Sequence, residues 1–106
     1  MATETTGATG LAGRYATALF DLASSENALD QVAADLRALA AMIDGSPDLT
    51  RMVRSPVISR AEQSAAIDAI LDAADAAPLT RKFAGVVAAN RRLFALTDII
   101  EGYLAI

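Results

Sequence analysis

The segment Gly13-Arg14-Tyr15-Ala16-Thr17-Ala18-Leu19-Phe20-Asp21-Leu22-Ala23 decides the fold class of this 106-residue chain, because it is apolar on two neighbouring helical stripes. The first stripe is Leu11, Tyr15, Ala18 and Leu22, and the second is Ala12, Ala16, Leu19, Phe20 and Ala23. Together they cover about 200° of the helix, well beyond the ~100° that a surface helix buries. This helix is therefore either central to a bundle, or it buries one stripe in its own core and offers the other to a partner.

Further helices follow from start and stop signals. Asn27 is predicted to cap a second helix, which has a single apolar stripe and ends at Gly45 in a left-handed conformation. The other, polar face of this helix is predicted to carry Asp30, Gln31, Asp35 and Arg37. Ser46-Pro47-Asp48 predicts the start of a short third helix, since Ser55-Pro56 soon disfavours helical backbone. Ser59 and Glu62 have the spacing of a capping box before a fourth helix, from about Arg60 to Ala74.

The last two helices complete the bundle. The fifth, from about Leu79 to Asn90, is apolar from Phe83 to Ala89 and so has almost no polar face, which is typical of a helix buried on all sides or awaiting a partner. A sixth runs from about Leu93 to Ile106 and has no C-terminal cap, which suggests that the chain is a fragment of a longer protein. We predict an all-α, compact six-helix bundle, with core residues Leu36, Leu39, Ile67 and Ile70 fully buried.

Composition excludes several classes of function. With no Cys and no His, the chain lacks thiol nucleophiles, imidazole bases, disulfides and Cys/His zinc ligands. A net charge of −4 has the wrong sign for a domain held by phosphate contacts. The longest apolar run is far short of the ~20 residues that span a bilayer, and no leader precedes it. We expect a soluble, cytoplasmic protein that is not an enzyme and uses no cofactor or metal.

Two polar clusters have competing interpretations. Asp68, Asp72 and Asp75 fall on one flank of the fourth helix, and without a His or an apolar pocket they are interpreted as a solvated face rather than an active site. Arg91 and Arg92 follow Asn90 at the end of the fifth helix. They could contact RNA or an acidic partner, but compensation of the helix dipole or an ion pair is the commoner role.

A family resemblance adds to this interpretation. Arg14-Tyr15-Ala16-x-Ala18-Leu19-Phe20-Asp21-Leu22-Ala23 resembles the opening helix of the F-type ATP synthase delta subunit, whose mitochondrial counterpart is the oligomycin-sensitivity-conferring protein. Phe83-x-x-Val86-Val87-Ala88-x-Asn90-x-Arg92-Leu93-x-x-Leu96 is similar to the family's fifth helix and following turn. Ser55-Pro56-Val57-Ile58 also suits its middle region. The departures are Gly13 before Arg14, and Arg91 where a small residue is common.

Residues 1–10 are mostly Thr, Ala and Gly without periodicity, and they are predicted to be a mobile tail. The resemblance implies a six-helix N-terminal domain over 11–106, and a C-terminal stalk-binding domain absent from this chain. The domain would hold the N-terminal helix of an alpha subunit in a groove between its first and fifth helices. Through the missing domain it would reach the b subunits of the peripheral stalk. It would thus be a connector in the stator that supports proton-driven ATP synthesis, peripheral to the cytoplasmic face of the inner membrane, with no membrane insertion and no nucleic acid.

The resemblance and the two unusually apolar helices together point to one set of residues. The predicted partner-binding residues are Arg14, Tyr15, Ala18, Leu22, Leu79, Phe83, Val86 and Asn90. The other stripes, which include Ala16, Leu19 and Val87, are assigned to the core. The alternative is an all-helical RNA-binding module of the antitermination-factor type, working through Arg91 and Arg92.

Overall fold

The computed structural model describes residues 10–106, which form six α-helices and no strand. The helices are α1 (Gly10–Ser25), α2 (Leu29–Asp44), α3 (Pro47–Arg54), α4 (Arg60–Ala73), α5 (Pro78–Ala89) and α6 (Leu96–Ala105). A single 3₁₀ turn, Leu93–Ala95, precedes α6, which therefore starts later than predicted. The all-α prediction is confirmed. The tail predicted over 1–10 lies outside the described residues except Gly10, which is the first residue of α1.

Helix α2 lies at the centre of the bundle. It packs against α1, α3, α5 and α6, whereas α1 packs mainly on α6, and α5 mainly on α4. Ala16 and Leu19 of α1 are buried, as predicted. Since α1 is peripheral and buries only this stripe, the structure favours the second interpretation of its sequence, in which one flank is left uncovered.

Aromatic contacts fix α1 on α6. The rings of Phe20 and Tyr103 are 5.7 Å apart, and the Tyr103 hydroxyl donates to the carbonyl oxygen of Leu29 at 2.8 Å. Burial, with a smaller contribution from the Asp30 carboxylate, raises the pKa of Tyr103. One buried tyrosine therefore ties α6 to both α1 and the start of α2.

The predicted core is confirmed at three of its four positions. Leu36, Leu39 and Ile67 are fully buried, but Ile70 is only half-buried, so its predicted burial is wrong. Helix α4 lies at the edge of the bundle and packs mainly on α5. A single neighbour covers only a narrow stripe of a helix, which here runs through Ile67 and Leu71.

Three helices end in the same left-handed turn at a residue other than glycine. Asn27, Asp75 and Arg91 have φ of 56°, 56° and 59°. In each case the following N–H donates five residues back, for example from Ala28 to the Ala23 carbonyl at 2.7 Å. Asn27 therefore ends α1 rather than capping α2, and that prediction is wrong. The N-cap of α2 is Ala28, without a side-chain hydrogen bond.

The prediction of a left-handed conformation at Gly45 is also wrong. The φ of this residue is −83°, so it is right-handed and not the left-handed residue predicted. Its N–H donates to the Ala41 carbonyl, and the next N–H, of Ser46, donates to Ile43. The backbone thus stays in the right-handed region through Gly45, and Ser46 then starts α3. No left-handed turn is needed. The predicted caps at Ser46 and Ser59 are confirmed, the latter with a reciprocal bond from Glu62.

Replacing Asp75 with glycine is expected to raise the free energy of unfolding by about 0.5–1 kcal/mol, since glycine avoids the left-handed strain at some cost in unfolded-state entropy. It also removes a carboxylate from the negative end of α4. Urea unfolding measures the change. Ala69→Gly, at an exposed position inside the same helix, is the control and should destabilise by about 1 kcal/mol. A loss of stability in Asp75→Gly would contradict this account of the cap.

Candidate partner-binding surface

Side chains join α1 to α5 although each helix packs mainly on another neighbour. The ring of Tyr15 meets that of Phe83 edge-on, with centroids 6.1 Å apart. The Asn90 side-chain amide donates to the Tyr15 hydroxyl at 3.0 Å. Residues 75 positions apart in sequence are thus brought together where the first helix meets the fifth.

Exposed apolar side chains lie on the same flanks of the two helices. Leu22, seven residues after Tyr15, is 49% exposed, and Val86, between Phe83 and Asn90, is 52% exposed; Ala18 is also exposed. Phe83 is buried, so it can form only the floor. We call this surface the α1–α5 face and define it by Tyr15, Ala18, Leu22, Phe83, Val86 and Asn90.

The two remaining predicted site residues lie at the margins of this face. Arg14 is exposed one turn before Ala18. Leu79 is half-buried and packs against the core, so it offers little free surface. The predicted set therefore contains five kinds of position: a floor, exposed apolar positions, a polar pair, a charged margin and the half-buried margin at Leu79.

Asp35 is a structural residue that sequence reasoning placed wrongly. It was assigned to the solvent face of α2, but it is only 8% exposed. Its carboxylate accepts from the backbone N–H of Ala77 at 2.9 Å and from the Thr80 hydroxyl at 2.7 Å, while Gln31 donates to its other oxygen. Asp35 therefore caps α5 from another helix and fixes the start of one side of the α1–α5 face.

A signal for this role was present in the sequence. Asp35 stands three residues after Val32 and four before Leu39, which is a position within the apolar stripe of α2. In addition, Ala77 provides no side-chain cap for α5. The buried acid of α2 and the uncapped start of α5 are the two partners of one contact. Only the fold shows that they are close to each other.

Replacing Asp35 with alanine is expected to lower the free energy of unfolding by about 2–3 kcal/mol, because buried donors lose a charged acceptor. Asp35→Asn, which keeps an acceptor oxygen, should cost less. Urea unfolding of the three proteins gives the order. Equal stability of wild type and Asp35→Ala would show that the cap contributes nothing.

The acidic flank of α4 is exposed, as interpreted, but part of it is paired. The Arg81 guanidinium contacts Asp68 at 3.0 Å and Asp72 at 3.2 Å, and these carboxylates are 61% and 72% exposed. The Asp68 carboxylate raises the pKa of Arg81. Since the pair is at the surface, it adds little to stability, but it aligns α4 with α5.

Arg91 also has a structural role. Its guanidinium donates to the carbonyl oxygens of Ile58 and Pro56 and to the Gln63 side chain, at 2.8–3.2 Å. Neither dipole compensation nor an ion pair describes these contacts. They join the end of α5 to the loop between α3 and α4.

Metal binding and membrane crossing are two further possibilities for residues 10–106. In that part of the chain, no group of three His, Cys, Asp or Glu side chains is placed to hold a metal ion. Among the same residues, no helix has both the length and the apolar character needed to cross a membrane.

Comparisons with known proteins all identify the same family. The model of the ATP synthase delta (OSCP) subunit family matches residues 11–106. An ATP synthase subunit delta from Rhodospirillum centenum is 56% identical over 105 residues, which is 99% of this chain and 56% of that protein. The one from Rhodopseudomonas palustris is 54% identical over 100% of this chain and 57% of that protein. The one from Paramagnetospirillum magneticum is 53% identical over 98% of this chain and 55% of that protein. The chain thus spans a little over half the length of these relatives.

Proposed function

The chain belongs to the ATP synthase delta (OSCP) subunit family, and from that premise we propose that it is a non-catalytic connector of the F-type ATP synthase stator. In this proposal the α1–α5 face binds the N-terminal helix of an alpha subunit. The part of the relatives that this chain does not span would contact the b subunits of the peripheral stalk. The protein would sit with the F1 sector on the cytoplasmic face of the energy-transducing membrane.

The observation that carries the proposal is the exposure of apolar side chains beside a buried aromatic floor. Leu22 and Val86 are about half exposed, yet each is one or two helical turns from Tyr15 or Phe83. An amphipathic helix is a suitable occupant, because its anchors recur every three or four residues along such a surface.

The geometry of the face suits a helix in two further respects. Ala18 is exposed and small, so the backbone of an incoming helix can approach α1 closely. The hydrogen-bonded pair of Tyr15 and Asn90 then provides polar atoms on an otherwise apolar surface. A partner side chain that bonds to this pair would set the register of the bound helix.

The non-catalytic role is supported by the chemistry of the residues. The sequence has no His or Cys, and Asp68 and Asp72 are exposed and bound to Arg81. The proposed connector acts by binding alone.

Titration of the ¹⁵N-labelled chain with a synthetic peptide of the alpha-subunit N-terminus tests the proposal. We expect saturable binding, a gain of helical circular dichroism by the peptide, and amide shift changes concentrated on α1 and α5. Binding that shifts only α2, α3 or α6 would contradict the assignment of the face, and no binding would contradict the proposed partner.

A single-stranded RNA titrated in parallel tests the alternative. Arg91, one of the two arginines on which that alternative depends, has its guanidinium bound to loop carbonyls, which leaves Arg92 as the exposed member. Saturable RNA binding lost in Arg92→Ala would favour the RNA-binding module instead.

A further inference from the structure

A second exposed apolar surface lies away from the α1–α5 face, where the loop 55–59 meets the turn after α5. Val57 is 89% exposed and Phe94 is 54% exposed. Beside Phe94 is a cavity of about 240 Å³, lined on its apolar side by Val53, Pro56 and Leu93 and on its polar side by Arg54, Ser55, Gln63 and Arg91. Exposed apolar groups beside a cavity are typical of a binding surface rather than of isolated surface residues.

The loop that carries Val57 is held firmly. Arg91 donates to the carbonyls of Pro56 and Ile58, and the Gln63 amide donates to the carbonyls of Met52 and Ser55 at 3.0 and 3.4 Å. Arg91 makes these bonds from a left-handed backbone, which is unfavourable for a residue with a side chain. Val57 is therefore presented on a pre-organised support, which lowers the entropy cost of binding.

The surface is also basic in an otherwise acidic chain. Segments 51–60 and 91–94 contain five of the nine basic residues and no acidic residue, although the net charge is −4. Arg51 pairs with Asp48, and Arg91 is bound to the loop. Arg54, Arg60 and Arg92 are exposed and make no ion pair within residues 10–106.

We propose that this basic–apolar surface, defined by Arg54, Val57, Arg60, Arg92 and Phe94, docks an acidic segment of another protein chain. An apolar side chain of that segment would enter the cavity beside Phe94, and its carboxylates would pair with the free arginines. The combination of charge and an apolar anchor gives both orientation and binding energy. The site is separate from the α1–α5 face and does not depend on its occupant.

A protein segment fits this surface better than a nucleic acid. Single-stranded nucleic acids bind where several aromatic side chains stack on bases along a basic groove. Here Phe94 is the one aromatic side chain among the exposed large apolar residues of the described region, and the whole chain repels phosphate through its net charge. The carboxylates of a short acidic segment, by contrast, can be neutralised by the exposed arginines of this surface alone.

Photo-crosslinking in the purified ATP synthase assembled with this subunit tests the proposal. The photoreactive residue p-benzoylphenylalanine is placed at Val57 or Phe94, and at Val86 as a separate probe of the α1–α5 face. We expect the probes at Val57 and Phe94 to form crosslinks that ribonuclease does not remove. Mass spectrometry should identify the crosslinked partner as a peptide rich in Asp and Glu. Because Val86 reports independently, failure of either site is distinguishable from failure of the other.

Charge variants provide the matched control. With the crosslinker at Val57, Arg92→Glu should reduce the yield about tenfold and Arg92→Lys should largely retain it. Arg37→Glu, an exposed arginine on α2, should leave the yield unchanged. Absence of a crosslink from both positions, a crosslink to a segment without carboxylates, a crosslink to RNA, or equal yields in Arg92→Glu and wild type would each overturn the proposal.

Discussion

Replacing Ala18 with aspartate is expected to lower the affinity for the alpha-subunit peptide by at least about thirtyfold while the domain stays folded. Ala18 is exposed in the free chain, so a carboxylate there remains hydrated until a helix covers it. Burying it unpaired against an apolar helix costs at least about 2 kcal/mol, which is roughly a thirtyfold loss of affinity. Anisotropy with a labelled peptide measures the loss.

Thr17→Asp is the matched control for Ala18→Asp. It places the same charge on the same helix, one residue away, at an exposed position whose native side chain is already polar. It should keep the affinity, and both variants should retain helical circular dichroism with a small drop in melting temperature, since aspartate is a weaker helix former than alanine. Unchanged affinity in a folded Ala18→Asp would place the partner elsewhere on the molecule.

Replacing Leu36 with alanine is expected to lower the free energy of unfolding by about 2–5 kcal/mol. Leu36 is fully buried on α2, the helix that packs against four others, so the surrounding helices cannot easily close the cavity. Combined with Ile67→Ala, it should remove most or all of the ~5–15 kcal/mol that a small domain has. Urea unfolding measures both.

Leu22→Ala is the control for Leu36→Ala, because the same atoms are removed from a side chain that is 49% exposed. It should change stability little but weaken peptide binding. A Leu36→Ala protein whose urea midpoint equals that of the wild type would show that α2 does not form the centre of the core.

Much of the fold could be predicted because its local signals agree with its packing. The spacing of Leu36 and Leu39 identified the buried side of α2, and Ser46 and Ser59 marked the starts of α3 and α4. On α1 the same reasoning separated the two stripes, with Leu19 buried and Ala18 exposed. Helical periodicity and caps are local properties, and a single sequence contains them.

The errors arose where a distant part of the chain decides the outcome. Asp35 is buried because the uncapped start of α5 lies over it, and Ile70 is half-buried because α4 has one main neighbour. Asn27 is a good residue for both a helix start and a left-handed helix end, and its neighbours in space select the second. The contacts of Arg91 with the loop 55–59 likewise have no signal in either segment alone.

The separation of α1 from α5 in the packing has a mechanical consequence. Helices α1 and α6 form one unit, α4 and α5 form another, and α2 contacts a member of each. A helix bound across the α1–α5 face would rest on both units and would join them at a second place besides α2. A pulling force on that bound helix would then be shared by the two units. Local unfolding of one unit would leave the bound helix attached to the other.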